Sequence, residues 1–109
     1  MVLDVPLRSE IVPYAMAMAH RRGLPLDFMR LTLEDATAQN GAVDGVFREL
    51  ERRHMATVVD PKPDLCPGGD CRLLSDDGWP LYNDSNHLSS HGALLLTSRL
   101  ARCILGNRP

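Results

Sequence analysis

Only two stretches of this sequence read as strands, VLDV at 2–5 and MATVVD at 55–60, and helical pattern fills the chain between them. Both runs are largely apolar, and each is closed by proline, Pro6 after the first and Asp60-Pro61 after the second. Strands joined through helices pair in parallel by a right-handed crossover, so the expected fold class is α/β. Two strands make a thin sheet, because a parallel sheet needs several strands and cover on both faces. A chain built this way should leave strand edges and helix faces uncovered. It is then expected to pair with further polypeptide or with a second copy of itself.

The helical stretches carry their own punctuation. EIVPYAMAMAHRRG (10–23) has Pro13 in its first turn, Arg21 and Arg22 at its end and Gly23 as a left-handed cap. Its middle, Tyr14 to Ala19, is apolar almost all round, which predicts deep burial. Met16, Met18 and Met29 are expected as core filler. After a connector with Pro25, Thr32 and Asp35 stand at capping-box spacing and open a second helix. Val43, Val46, Phe47 and Leu50 give that helix its apolar stripe, while Gly41 and Gly45 weaken it by about 1 kcal/mol each or delay its start. Near the carboxyl end, Ser89 or Ser90 caps a last helix with a stripe of Ala93, Leu96, Leu100 and Ile104, stopped by Gly106.

The totals exclude some classes. A chain of 109 residues is enough for one domain, 1–109, and no more. Net charge is −2 and pI about 6.0, so no basic face is available to release counterions, and nucleic acid is excluded as a partner. No apolar run approaches the ~20 residues of a membrane span. MVLDVPLRSE is not a signal peptide, so export would need a signal outside these residues.

The chemistry concentrates in the turn-rich stretch after the second strand, PKPDLCPGGDCRLLSDDGWPLYND, and in the residues that follow it. Asp77-Gly78 is a hairpin-type turn signal. Cys66 and Cys71 flank Pro-Gly-Gly-Asp, a tight turn that could bring two sulfurs together, whereas Cys103 reads as a small apolar residue of the last helix. Asp84 stands three residues before His87, at the mouth of that helix. In open α/β sheets, chemistry collects at the carboxyl ends of strands. There a carboxylate can fix one imidazole nitrogen and leave the other free to take a proton from a hydroxyl nucleophile. The plainer reading of Asp-x-x-His is a helix cap with a surface histidine.

The flanking residues add to this. A cysteine pair, a Gly-aromatic turn and then Tyr82-x-Asp84-x-x-His87-Leu88-Ser89-x-x-Gly92-Ala93 resemble the carboxyl-terminal segment of SGNH-type domains. The likeness is to those fused to acyltransferase-3 membrane proteins that O-acetylate bacterial surface polysaccharides. The resemblance implies the carboxyl-terminal portion of a flavodoxin-like three-layer fold with parallel strands and covering helices. It implies that Asp84 and His87 are two members of a Ser-His-Asp triad acting on O-acyl groups of carbohydrate. It further implies that Cys66 and Cys71 form a disulfide, that no cofactor is used, and that the domain works in the periplasm or on the extracytoplasmic face of the membrane. Such enzymes place their serine in Gly-Asp-Ser, and this chain has none; GGDC puts Cys71 in the serine's place but inside the cysteine pair. The expectation is therefore a part of an SGNH acyltransferase or esterase, inactive alone. Its partners would be the nucleophile-bearing amino-terminal SGNH portion and an acyltransferase membrane domain.

Two readings compete. Cys66-x4-Cys71-x15-His87-x3-His91 is close to zinc-finger spacing and would make a small metal-binding module. The residues between Cys71 and His87 include Asp76, Asp77, Gly78 and Pro80 rather than a finger's apolar mini-core. The other alternative is a non-catalytic interaction piece. His91 reads as a helix-face residue, and His20 and His54 as groups that soften helix dipoles. Trp79 and Tyr82 either line an acyl or sugar pocket or pin the loop to the core.

Overall fold

The computed structural model describes residues 2–106. Six α-helices follow in order: α1 (Val12–Arg22), α2 (Leu33–Gln39), α3 (Gly41–Arg52), α4 (Lys62–Leu65), α5 (Ser90–Leu94) and α6 (Thr97–Ile104). Short 3-10 turns occur at Leu26–Met29 and Pro67–Gly69. None of the helices is long and apolar enough to cross a membrane.

The α/β expectation is overturned. The described residues are 51% helical, the 3-10 turns included, and contain no strand and no sheet. What remains of the expected pairing is one parallel bridge, Val2 to Val59, with the Leu3 amide donating to the Val59 carbonyl at 2.8 Å. The physical reason lies in how the neighbouring backbone groups are satisfied. The Val5 amide donates to the side chain of Asp4. The Gln39 carboxamide takes both the amide and the carbonyl of Leu7, at 2.8 and 2.9 Å. In the second run the Val58 amide donates to the Glu51 side chain at 3.0 Å, so a side chain takes a backbone donor in each run, and Gln39 holds the chain at Leu7, just past Pro6. Three further bridges, all antiparallel and isolated, join Thr32 to Asp70, Leu74 to Pro80 and Tyr82 to Leu88.

The helix signals hold locally and fail over longer spans. Gly23 caps α1 with φ 65°, and the Thr32 side chain accepts the Asp35 amide at the start of α2. The expected second helix is divided at Asn40 (φ −128°, ψ 33°) into α2 and α3. The expected last helix is divided at Leu95 and Leu96 into α5 and α6. The deep burial expected for Tyr14–Ala19 is not found: within α1 only Val12 and Ala19 are buried, and Tyr14 is 66% exposed. Met29 is buried, and Met16 packs against the core without being buried. Leu96 is buried, but Ala93, Ile104 and Cys103 are exposed, so Cys103 is no core residue.

The core gathers around the irregular stretch rather than around the helices. One cluster joins Ala36, Leu65, Cys66, Cys71 and Leu96. A second joins Val12, Leu81 and Tyr82. Val5, Leu88 and Leu95 pack against both and knit them together.

Candidate active site

Asp84 builds the site from local chemistry. Its Oδ1 accepts the backbone N–H groups of Asn86 (2.8 Å) and His87 (2.7 Å), which closes a tight turn. Its Oδ2 lies 2.7 Å from Nδ1 of His87. One carboxylate therefore shapes the turn and holds the imidazole that the turn presents. The Asn86 amide, the His87 ring and the His87 amide together hold the Asp84 carboxyl below its usual range, against a weaker opposing effect of desolvation. A carboxylate at Nδ1 selects the tautomer with its proton there and leaves Nε2 as the free lone pair.

The turn is fixed at both ends. The Asn83 amide donates to the His87 carbonyl at 2.8 Å, and Tyr82 bridges Leu88. The Arg8 amide donates to Ser85 O at 2.8 Å, and the Val12 amide to Asp84 O at 3.3 Å. Below the turn, Tyr82 is 1% exposed, and its hydroxyl donates to Pro6 O at 2.7 Å. Burial raises the Tyr82 pKa, although the Arg8 guanidinium works against the shift, so the phenol stays protonated and keeps donating. Tyr82 therefore pins the loop, the second of its two expected roles.

The helix that follows is seated by Ser89 and Gly92. The Ser89 hydroxyl donates to Pro80 O at 2.7 Å and accepts the Gly92 amide at 3.2 Å. A Cβ on Gly92 would lie 2.2 Å from the Leu81 carbonyl oxygen, so only glycine fits there. The turn signal at Asp77-Gly78 is sound: Ser75 and Trp79 pair through backbone, and Gly78 takes φ 88°. Trp79 is exposed and stacks on His91 with ring centroids 5.2 Å apart.

Cys66 and Cys71 form a disulfide, and both are buried. The Cys71 amide donates to Leu31 O and the Arg72 amide to Leu65 O, which fastens the disulfide loop to its surroundings. The zinc reading loses its ligands here, because the two sulfurs are bonded to each other and His91 faces Trp79. Among the described residues no three His, Cys, Asp or Glu side chains converge.

His87 lines a cleft of about 430 Å³ together with Asp4, Asn40, Asp44, Phe47 and Asn86. Its side chain is 73% exposed and that of Asp84 41%. Ser89, the serine of the motif, donates its proton to Pro80 O and accepts the Gly92 amide, so its hydroxyl serves the fold. A more apolar groove of about 460 Å³ runs along α1 past Ile11, Tyr14, Leu24 and Phe28, and its lining has no histidine, serine or cysteine.

Arg8 is the residue that sequence reasoning missed. It is 7% exposed, and its guanidinium donates to the carbonyls of Met29 (2.7 Å), Cys71 (3.0 Å) and Arg72 (2.8 Å). It also lies 5.4 Å from the centroid of the Tyr82 ring. In the sequence it is a single arginine after a proline, and no local pattern announces burial.

Comparison with known proteins identifies a family. The family model described as SGNH domain (fused to AT3 domains) matches residues 1–102. No curated protein and no solved structure gave a match. With a family match over nearly its whole length, and with an aligned Asp-His pair inside the matched region, this chain belongs to the family of SGNH domains fused to AT3 domains, a family of SGNH-type hydrolases and acyltransferases.

Proposed function

We propose that this chain carries the acid–base half of an O-acyl-transfer site, with His87 as general base and Asp84 as the group that orients it. The observation that carries the reading is the 2.7 Å contact between Asp84 Oδ2 and His87 Nδ1, which leaves Nε2 free beside a cleft. The serine comes from polypeptide bearing the Gly-Asp-Ser motif that these 109 residues lack. A ring 73% open to solvent agrees with this, since a working base is covered by its nucleophile and substrate.

Nε2 takes the serine proton as the serine oxygen attacks the acyl carbonyl, and returns it to the departing alkoxide. Asp84 remains a carboxylate throughout and stabilises the imidazolium. A carbohydrate hydroxyl, or water, then attacks the acyl-serine while Nε2 takes its proton, and Nε2 passes that proton to the departing serine oxygen. Asp4, Asn40 and Asn86 give the cleft hydrogen-bonding groups suited to hydroxyls. The disulfide supports an extracytoplasmic setting, where oxidising conditions keep it formed. Fusion to AT3 domains in the family supports an acyltransferase membrane domain as the source of acyl groups.

The test is reconstitution. The chain alone is expected to hydrolyse a small acetyl ester no faster than its His87→Ala variant. Mixed with the Gly-Asp-Ser portion of an SGNH domain, it should gain turnover that falls about 10⁴-fold in Asp84→Asn. Turnover by the isolated chain above the His87→Ala control would overturn the missing-serine reading. Reconstituted activity indifferent to His87 would overturn the assignment of the base.

A further inference from the structure

We propose that Arg8 is the positioning residue of the Asp84–His87 pair and that it couples this pair to the Cys66–Cys71 disulfide; the inference rests on the reading of His87 as a base oriented by Asp84. The two ends of Arg8 reach different parts of the molecule. Its backbone amide holds Ser85 O at 2.8 Å, inside the turn between the acid and the histidine. Its guanidinium holds the carbonyls of Cys71 and Arg72 at the end of the disulfide loop, and that of Met29 across from it. Tyr82 closes the circuit, packing on the guanidinium and donating to Pro6 O two residues upstream of Arg8.

The chemistry of the side chain makes the coupling strong. Three carbonyls arranged around one cation need a planar fork with several N–H groups, which arginine has and lysine lacks. Every acceptor is a neutral carbonyl, and the buried Nε has no partner among the described residues. A buried cation held only by carbonyls stays in place only while all of them do, because losing one leaves charge desolvated and uncompensated. The Cys71 carbonyl is fixed by the disulfide loop. Opening that loop frees the Cys71 and Arg72 carbonyls, releases the guanidinium, and with it loosens the 6–8 segment that holds Ser85 and Tyr82. A pair this exposed contributes little by itself, so its alignment depends on the backbone that carries it.

The readout is the tautomer of His87 in the full chain, taken from the two ring-nitrogen shifts in long-range proton–nitrogen NMR at alkaline pH, where imidazole is neutral. Wild type is expected to carry the proton on Nδ1, against the Nε2–H preference of an unconstrained histidine. In Arg8→Met the majority is expected to invert to Nε2–H, with Arg8→Lys intermediate. Cys66→Ser/Cys71→Ser, in which Arg8 is untouched, is expected to invert it as well. A purely structural Arg8 would lower the unfolding temperature and leave the tautomer of the folded protein unchanged. Nδ1–H retained in a cooperatively folded Arg8→Met protein would overturn the inference. If that variant does not fold, Nδ1–H retained in the double serine variant overturns it instead. Nε2–H already dominant in wild type would remove the oriented base itself, a different failure from loss of the Arg8 link alone.

Discussion

Helix α3 runs for 12 residues with none of them buried. The stretch 58–96, mostly turns, short helices and isolated bridges, holds Val58, Val59, Leu65, Cys66, Cys71, Leu81, Tyr82 and Leu96 in the interior. The longest helix of this molecule is exposed, while an irregular stretch supplies much of its core. A helix satisfies its own backbone hydrogen bonds, so it can stand with a wet face and an uncovered apolar one. On α3, Val43 and Val46 are more than half exposed, and ion pairs from Arg48 to Asp60 and from Asp44 to Lys62 link the helix to the segment after it. Irregular backbone has no such internal ladder, and each of its groups needs a partner from elsewhere. Here the partners are the Arg8 guanidinium, the Asp84 carboxylate, the Ser89 hydroxyl and the disulfide, and they leave the turn at Asp84 fixed from several directions.

That contrast breaks if substitutions in the two regions cost the same. The largest effect is expected at Gly92→Ala, where the new Cβ meets a backbone carbonyl that cannot move aside without dislodging Leu81. A loss of about 3 kcal/mol or more should appear in urea denaturation. Cys66→Ser/Cys71→Ser should cost about 2 kcal/mol by the chain-entropy relation for so short a loop, read as a lower midpoint than the oxidised wild type. Tyr82→Phe leaves the Pro6 carbonyl without its donor and should cost about 1 kcal/mol, with thermal unfolding as the measure. Val46→Ser on the open face of α3 should stay within about 0.5 kcal/mol, and a larger loss would mean that this face is covered in solution.

The pH dependence sharpens the comparison further. The Asp84 carboxyl titrates lower in the folded chain than its model-compound value of 3.8, so its contribution is complete above that value and is lost as pH falls through the folded pKa. Unfolding curves followed downward through this acid window should show a pH-dependent drop that is missing in Asp84→Asn. An identical drop in the variant would mean that the carboxylate's hydrogen bonds contribute nothing to the folded state.

What could be read from the sequence was short-range. Asp84 and His87 are three residues apart, and a carboxylate at that spacing reaches both the amide and the ring of the histidine within one turn. The caps at Thr32, Ser89 and Gly23, and the turn at Gly78, likewise depend on neighbours a few positions away. The strands and the long helices were misread for the complementary reason. Whether 2–5 and 55–60 extend into a sheet depends on what pairs with their backbone, and the side chains of Asp4 and Glu51 take the amides of Val5 and Val58 instead. Tyr14 was apolar enough for a core but has no partner element over it.

The sequence by itself determined which acid and which histidine meet in one turn, the helix cap that follows and the pair of cysteines upstream, because those contacts close within a few residues. Only the tertiary structure decided that Arg8 would be buried, that Gly92 would lie against Leu81 O, and that no sheet would form. Each of these depends on backbone groups brought together from tens of residues away, where one side chain or one carbonyl determines which hydrogen bond is made.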